Sequence, residues 1–321
     1  MSLGIFNNAL RFAPLYQHRV WGGRAFESAL GRPLAGTGLV GESWEMVDRP
    51  EAQSVVDGGN WAGMELQTLW SRHRSALFGA GCPEAGRFPL LLKLLDAREN
   101  LSVQVHPSLV ESARGLGEPK TEWWYILEAQ PGACVFAGFR PGVTRPLVER
   151  ALQTGGFESL LHRIPVRRGD SLFVPGGRIH AIGGGCLIAE VQQNSDTTYR
   201  VFDWNRRGAD GTHRELHIEQ SLACLNFEDQ APSIAADLSG SGFSCEFFSV
   251  SGLPLKEAAP AGAHAGAVFL VAEGFLGVAG EVFGRGDWFL LPAQAAAVLL
   301  EPGPGGVSLV RVALPSSDGG C

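Results

Sequence analysis

No apolar run in this chain of 321 residues reaches the ~18–20 needed to span a bilayer as a helix. A basic block is also missing: 26 Lys and Arg face 33 Asp and Glu, giving a formal net charge of −7. The electrostatic footprint of a nucleic-acid or anionic-membrane binder is therefore absent, and neither is expected as a partner. Met1 to Phe6 lack the basic and apolar regions of a secretory leader, so a cytoplasmic location is expected. Cys-x-x-Cys pairs are lacking too. The six cysteines (Cys82, Cys134, Cys186, Cys224, Cys245 and Cys321) are scattered, the pattern of reduced thiols packed as small hydrophobes.

Glycine, by contrast, is abundant at 43 residues, and short β-branched or aromatic runs recur between Gly and Pro punctuation. Such spacing predicts an all-β core of sandwich or barrel type. Strands are expected over 43–47, 54–56, 88–96, 102–106, 123–129, 133–139, 171–174, 186–193 and 197–203. Helices are fewer: apolar spacing predicts them over 66–77 and 145–161, with a short one over 217–223.

An internal repeat supports two such β-units. Arg168-Gly169-Asp170-Ser171-Leu172-Phe173-Val174-Pro175 matches Arg285-Gly286-Asp287-Trp288-Phe289-Leu290-Leu291-Pro292, each a Gly-Asp turn leading into an apolar strand that ends at proline. Upstream, Ile126-Leu127-Glu128-Ala129-Gln130-Pro131-Gly132 resembles the shorter Leu270-Val271-Ala272-Glu273-Gly274. The expected architecture is mainly β: two jelly-roll barrels in tandem with a few short helices. Residues 1–228 form the first domain and 229–321 the second, with 229–241, rich in Ala, Ser, Pro and Gly, as linker.

Chemistry concentrates in the first repeat. Gln104 and His106 lie two apart in Leu101–Pro107, so on a strand they share a face. Glu122 opens a second strand-like run and His180 closes a third. One amide oxygen, one carboxylate and two imidazoles can form a four-ligand N/O site suited to zinc or a similar divalent ion. The second repeat lacks this set: Ala297 falls opposite His180, and Glu122 falls near Ala265-Gly266-Ala267, with His264 close by.

These motifs resemble the type I mannose-6-phosphate isomerases (phosphomannose isomerases) of short bacterial form. The resemblance runs through Pro14-Leu15, Val20-Trp21-Gly22-Gly23, Gly41-Glu42-Ser43-Trp44-Glu45, Pro89–Lys93 and Leu101–Pro107. It continues through Gly117–Trp124, Val174–Ala181 and Gln192–Trp204, covering most of residues 14–227. Where the family often has Gly-Lys-Thr-Glu, Pro119 here precedes Lys120. The resemblance implies cupin barrels, with one Zn²⁺ per chain bound by Gln104, His106, Glu122 and His180. It also implies reversible isomerisation of mannose 6-phosphate and fructose 6-phosphate in carbohydrate metabolism, by a monomer or homodimer.

Further roles follow from that resemblance together with the residues. Lys93 lies in an apolar segment where an unpaired lysine is costly to bury. Ser102 shares a face with Gln104, and both Lys93 and Ser102 are implied at the sugar phosphate. Lys120, two before Glu122, is a substrate-orienting cation. Glu190, inside Leu187–Val191, is implied as proton-transfer base, an alternative to a metal-polarised water, and Arg200 as the cation that steadies an enediolate or the phosphate. Gln192, Asn194 and Asp196 alternate and suit sugar hydroxyls; Asp203 suits a turn or supporting position. Trp21, Trp44, Trp123 and Trp124 suit core or pocket wall. Rival readings are another metal-cupin sugar isomerase or oxygenase, and a non-catalytic sugar-phosphate-binding protein.

Overall fold

The computed structural model describes residues 6–207, 211–235, 238 and 242–315. It divides into two compact units, one of residues 16–43 and 93–236, the other of 1–15, 44–92 and 237–321. Residues 1–15 and 44–92, assigned from sequence to the first domain, thus group with the C-terminal segment. The expected linker 229–241 lies partly outside the described residues, as does Cys321. The other five cysteines are free thiols.

Two sheets build the first unit. The larger is ordered Leu15–Gln17, Glu42–Met46, Leu90–Ala97, Cys186–Gln193, Glu122–Ala129 and Ser171–Val174, and the chain crosses between units within its first three strands. The smaller is ordered Tyr199–Phe202, Val103–Val105, His180–Ile182, Cys134–Phe139 and Leu161–Pro165. Side-chain alternation sorts each strand between two cores. Trp124, Ile126, Val135, Ala137, Leu172, Ile182 and Ile188 pack together in one core. On the other face of the smaller sheet, Val103, Val105, Phe136 and Phe139 pack with Val148 and Cys224, which are carried by helices Arg145–Thr154 and Ile218–Cys224. Full burial of each large aliphatic side chain contributes roughly 1.5–3 kcal/mol. Gln104 and His106 alternate with Val103 and Val105, and so are directed toward the first core.

Two elements differ from expectation. The helix predicted over 145–161 ends at Thr154, because Gly155 and Gly156 turn to φ of 89° and 85°; a 3₁₀ turn, Phe157–Leu160, and strand Leu161–Pro165 follow. Residues 54–56 make isolated bridges, Val55 with Glu65 and Val56 with Phe12, and form no strand.

In the second unit a seven-stranded sheet is built around Ala267–Val278 and Leu299–Ala313, over a core that includes Phe269, Phe283, Phe289 and Leu309. The repeat is reproduced bond for bond at its turn. Gly169 N–H donates to Ile126 O and Ile126 N–H to Asp170 O; Gly286 N–H donates to Val271 O and Val271 N–H to Asp287 O. Ile126 therefore matches Val271, one residue along from the sequence alignment. Val174 pairs with Glu122, and its counterpart Leu291 pairs with Ala267. The carboxylate position of the first repeat is an alanine in the second.

Candidate metal centre and cavity

The strand register dictates who meets whom. Gln104 is the direct partner of His180 on one side and of Arg200 on the other. His106 follows strand 103–105 immediately, and Glu122 and His180 each begin a strand. One ligand atom from each of His106, Glu122 and His180 lies within 4.8 Å of the others, and all three residues are buried. No other such group occurs among the described residues.

Hydrogen bonding fixes the tautomers. Nδ1 of His106 lies 2.8 Å from Thr197 O, and Nδ1 of His180 lies 2.9 Å from Arg178 O. A carbonyl only accepts, so each Nδ1 carries the proton and each Nε2 presents a lone pair. His106 Nε2 is 3.0 Å from Glu122 Oε1, and His180 Nε2 is 3.8 Å from Glu122 Oε2. Burial, followed by the Lys120 charge, pushes His106 down to about 3; burial likewise lowers His180. Burial, the largest single influence, would raise the Glu122 carboxyl, but Lys120, His106 and His180 together outweigh it and hold the group well below the usual carboxylate range. Two neutral imidazoles and one carboxylate are the protonation states a divalent ion requires. His180 Nε2, buried without a hydrogen-bond partner, is an atom such an ion would satisfy.

Lys120 adjoins the cluster, with Nζ 2.8 Å from Glu122 Oε1 and 3.4 Å from His106 Nε2. Burial favours its neutral amine, but Glu122 and Glu190 outweigh that and keep the ammonium charged. A row of polar groups crosses the larger sheet. Arg19 Nε is 2.7 Å from Glu42 Oε1; Lys93 Nζ is 3.8 Å from Glu42 Oε2 and 3.5 Å from Glu190 Oε2. Trp124 Nε1 donates at 3.0 Å to both Glu190 Oε1 and Glu122 Oε2. Lys93 is thus a buried, paired cation rather than one reaching out to solvent. Burial, then the Glu122 charge, pushes Glu190 up to about 7.

Above these groups opens a cavity of about 430 Å³. Arg19, Lys93, Lys120, Arg200 and Arg214 line it against Glu42, Glu190 and Asp196, an excess of positive charge in a chain of net charge −7. Ser102, Gln104 and Thr198 add neutral polar groups. Arg200 donates from Nη1 to Glu215 O at 2.7 Å, and burial and then Arg214 lower its pKa. Gln192 is turned away from this role: its amide donates to the Gln193 and Ser195 carbonyls. Of the three alternating polar residues, Asp196 lines the cavity.

Sequence reasoning assigned no role to Arg19, Glu42 or Arg214. Glu42 was marked only by its place in the Gly-Glu-Ser-Trp-Glu motif. Arg214 enters the cavity from a loop, braced by Asp203 at 2.7 and 2.6 Å. A composition signal was present for the lysines: the chain has only three, and two of them, Lys93 and Lys120, are buried here.

The chain is similar to known proteins. The family model described as phosphomannose isomerase type I, catalytic domain, matches residues 9–126. Mannose-6-phosphate isomerase ManA of Bacillus subtilis is 41% identical over 229 residues, 70% of this chain and 69% of its own. Mannose-6-phosphate isomerase of Streptococcus mutans is 39% identical over 239 residues, 72% of this chain and 74% of its own. The crystal structure of mannose 6-phosphate isomerase from Bacillus subtilis superimposes with a TM-score of 0.80 at 29% identity, covering 96% of this chain and 100% of that one. With two relatives near 40% identity across more than two thirds of their lengths, and a mainly β fold that superimposes over 96% of the chain, the chain belongs to the type I phosphomannose isomerase family.

Proposed function

We propose that this protein is a metal-dependent aldose–ketose isomerase that interconverts mannose 6-phosphate and fructose 6-phosphate through an enediolate. The observation that carries the reading is the pair of tautomer-fixed neutral imidazoles facing one ionised carboxylate, beside a cavity rich in cations. His106, Glu122 and His180 hold the ion, and Gln104, the register partner of His180, supplies a neutral oxygen. The N/O donor set favours Zn²⁺, one per chain. A bound ion of this kind supplies Lewis acidity toward oxygens that gain negative charge.

The rest of the chemistry belongs to side chains. Glu190, buried and with its carboxyl pushed into the neutral range, removes the carbon-bound proton from one of C1 and C2 and returns it to the other. Arg200 and Lys120 steady the enediolate oxygens electrostatically. Lys93 and Ser102 donate to the phosphate, while the Lys93 charge also favours the ionised form of Glu190. No helix among the described residues is long and apolar enough to cross a membrane.

Nuclear magnetic resonance of mannose 6-phosphate incubated with the protein tests this reading. The expected result is conversion to fructose 6-phosphate until equilibrium, with mannose itself turned over far more slowly. Equal turnover of the unphosphorylated sugar would remove the phosphate from the account, and oxygen consumption would replace isomerisation by oxygenase chemistry.

A further inference from the structure

Trp124 is fully buried on the inner face of strand 122–129, yet its indole N–H serves a polar purpose. Nε1 stands 3.0 Å from Glu122 Oε2 and 3.0 Å from Glu190 Oε1. Register brings the two carboxylates to one proton: Glu190 is the cross-strand partner of Trp124, and Glu122 precedes Trp124 by two on the same face. The His180 ring meets the indole edge-on, centroids 5.5 Å apart at 73°. One side chain therefore touches two members of the metal cluster and the carboxylate assigned to proton transfer. Neighbouring carboxylates disfavour each other's ionisation in a buried site, and a shared donor offsets part of that repulsion while limiting both rotamers.

We propose that Trp124 is a positioning residue, holding Glu122 in its metal-binding rotamer and Glu190 against the cavity through one shared indole N–H. This rests on the reading of the cluster as a metal centre and of Glu190 as the base. Trp124→Phe keeps an aromatic ring against His180 and removes the donor. Trp123→Phe is the volume control, because alternation points Trp123 to the opposite face of the strand, where it stacks with Tyr125.

The test measures Zn²⁺ affinity of chelator-stripped protein by competition with a chromophoric chelator, alongside kcat and KM. Trp124→Phe is expected to bind Zn²⁺ ~10–100-fold more weakly, the usual cost of losing a group that orients a ligand. Its kcat should fall with KM little changed, and Trp123→Phe should bind as the unsubstituted protein does. On a Glu190→Gln background the kcat loss from Trp124→Phe should shrink. Undiminished affinity and kcat in Trp124→Phe, an equal loss in Trp123→Phe, or strictly additive losses would each overturn the proposal. Should Trp124→Phe fail to fold, indole N–H resonances give a second reading: one of the eight tryptophans should respond both to Zn²⁺ and to Glu190→Gln. No doubly responsive resonance would refute the bridge. Unsubstituted protein that binds Zn²⁺ but leaves mannose 6-phosphate untouched would sink the substrate reading, and the affinity comparison would still decide the role of Trp124.

Discussion

Lys93 and Lys120 differ from the chain's other cations in more than position. Lys256, the remaining lysine, is exposed, and every other fixed cation is an arginine. The compact ammonium of Lys93 lies between Glu42 and Glu190, 3.8 and 3.5 Å from their carboxylate oxygens. Lys93→Met is expected to raise KM for mannose 6-phosphate more than for mannose, read from initial rates on both; equal effects would remove Lys93 from the phosphate. Glu190 faces Lys93, Lys120, Glu42 and Glu122, and as a base it must lose its proton to act. Activity should therefore rise with pH through the neutral range. Glu190→Gln should flatten that rise and lower kcat by ~10²–10⁴-fold. An unaltered pH–rate profile in the variant would assign the base elsewhere. The grouping of His106, Glu122 and His180 was legible in the sequence from their residue types, the strand spacing and the family resemblance. Arg214 was not, since a loop arginine carries no periodicity. Trp124 was misleading: an aromatic in an apolar run reads as packing, and one of its two polar partners, Glu190, lies 66 residues away.

At the scale of elements, the turn between strands 171–174 and 180–182 sets the placement of both histidines. Gly177 N–H donates to His106 O at 2.8 Å, and a Cβ on Gly176 would come within 2.6 Å of Ser108 Cα and 2.7 Å of Pro107 O. Gly176→Ala must push this turn off the His106 segment. The expected cost is about 1–3 kcal/mol, the range for overpacking, seen as a lower Tm together with weaker metal binding. A variant with undisturbed Tm and affinity would show that the turn yields freely. The repeated Gly-Asp turn was legible because it closes within a short motif, Asp170 N–H donating to Arg167 O and Asp287 N–H to Gly284 O. Its one-residue shift at Ile126 and Val271 was not, because register is set by the partner strand. The break after Thr154 was written in Gly155-Gly156, but apolar spacing on either side masked it.

On the scale of the whole molecule, long-range pairing decides what local sequence cannot. The grouping of residues 1–15 with 237–321 shows in the Leu10–Leu290 bridge, whose two segments carry no mutual signal. Charge has global consequences too. His106 sits at about 3 in the folded protein against an ordinary 6.5, so below 6.5 the unfolded chain binds the extra proton. The contribution of His106 to the stability of the metal-stripped protein is therefore full above about 6.5 and is lost as pH drops from there toward 3, while Glu190, raised to about 7, contributes in the opposite sense. Thermal melts across that interval should show a shallower loss of Tm with acid in His106→Gln than in the unsubstituted protein; identical slopes would mean that His106 ionises freely. A metal that binds only the folded state should add about 2.7 kcal/mol at a hundredfold excess over its Kd. The central claim, that His106, Glu122 and His180 hold an ion on which turnover depends, is tested most directly by counting metal and fructose 6-phosphate isomerase activity together. The account expects near one divalent ion per chain, loss of ion and activity on chelation, recovery of both on adding Zn²⁺, and neither in His180→Ala. Full activity in metal-free protein, or in metal-free His180→Ala, would contradict it.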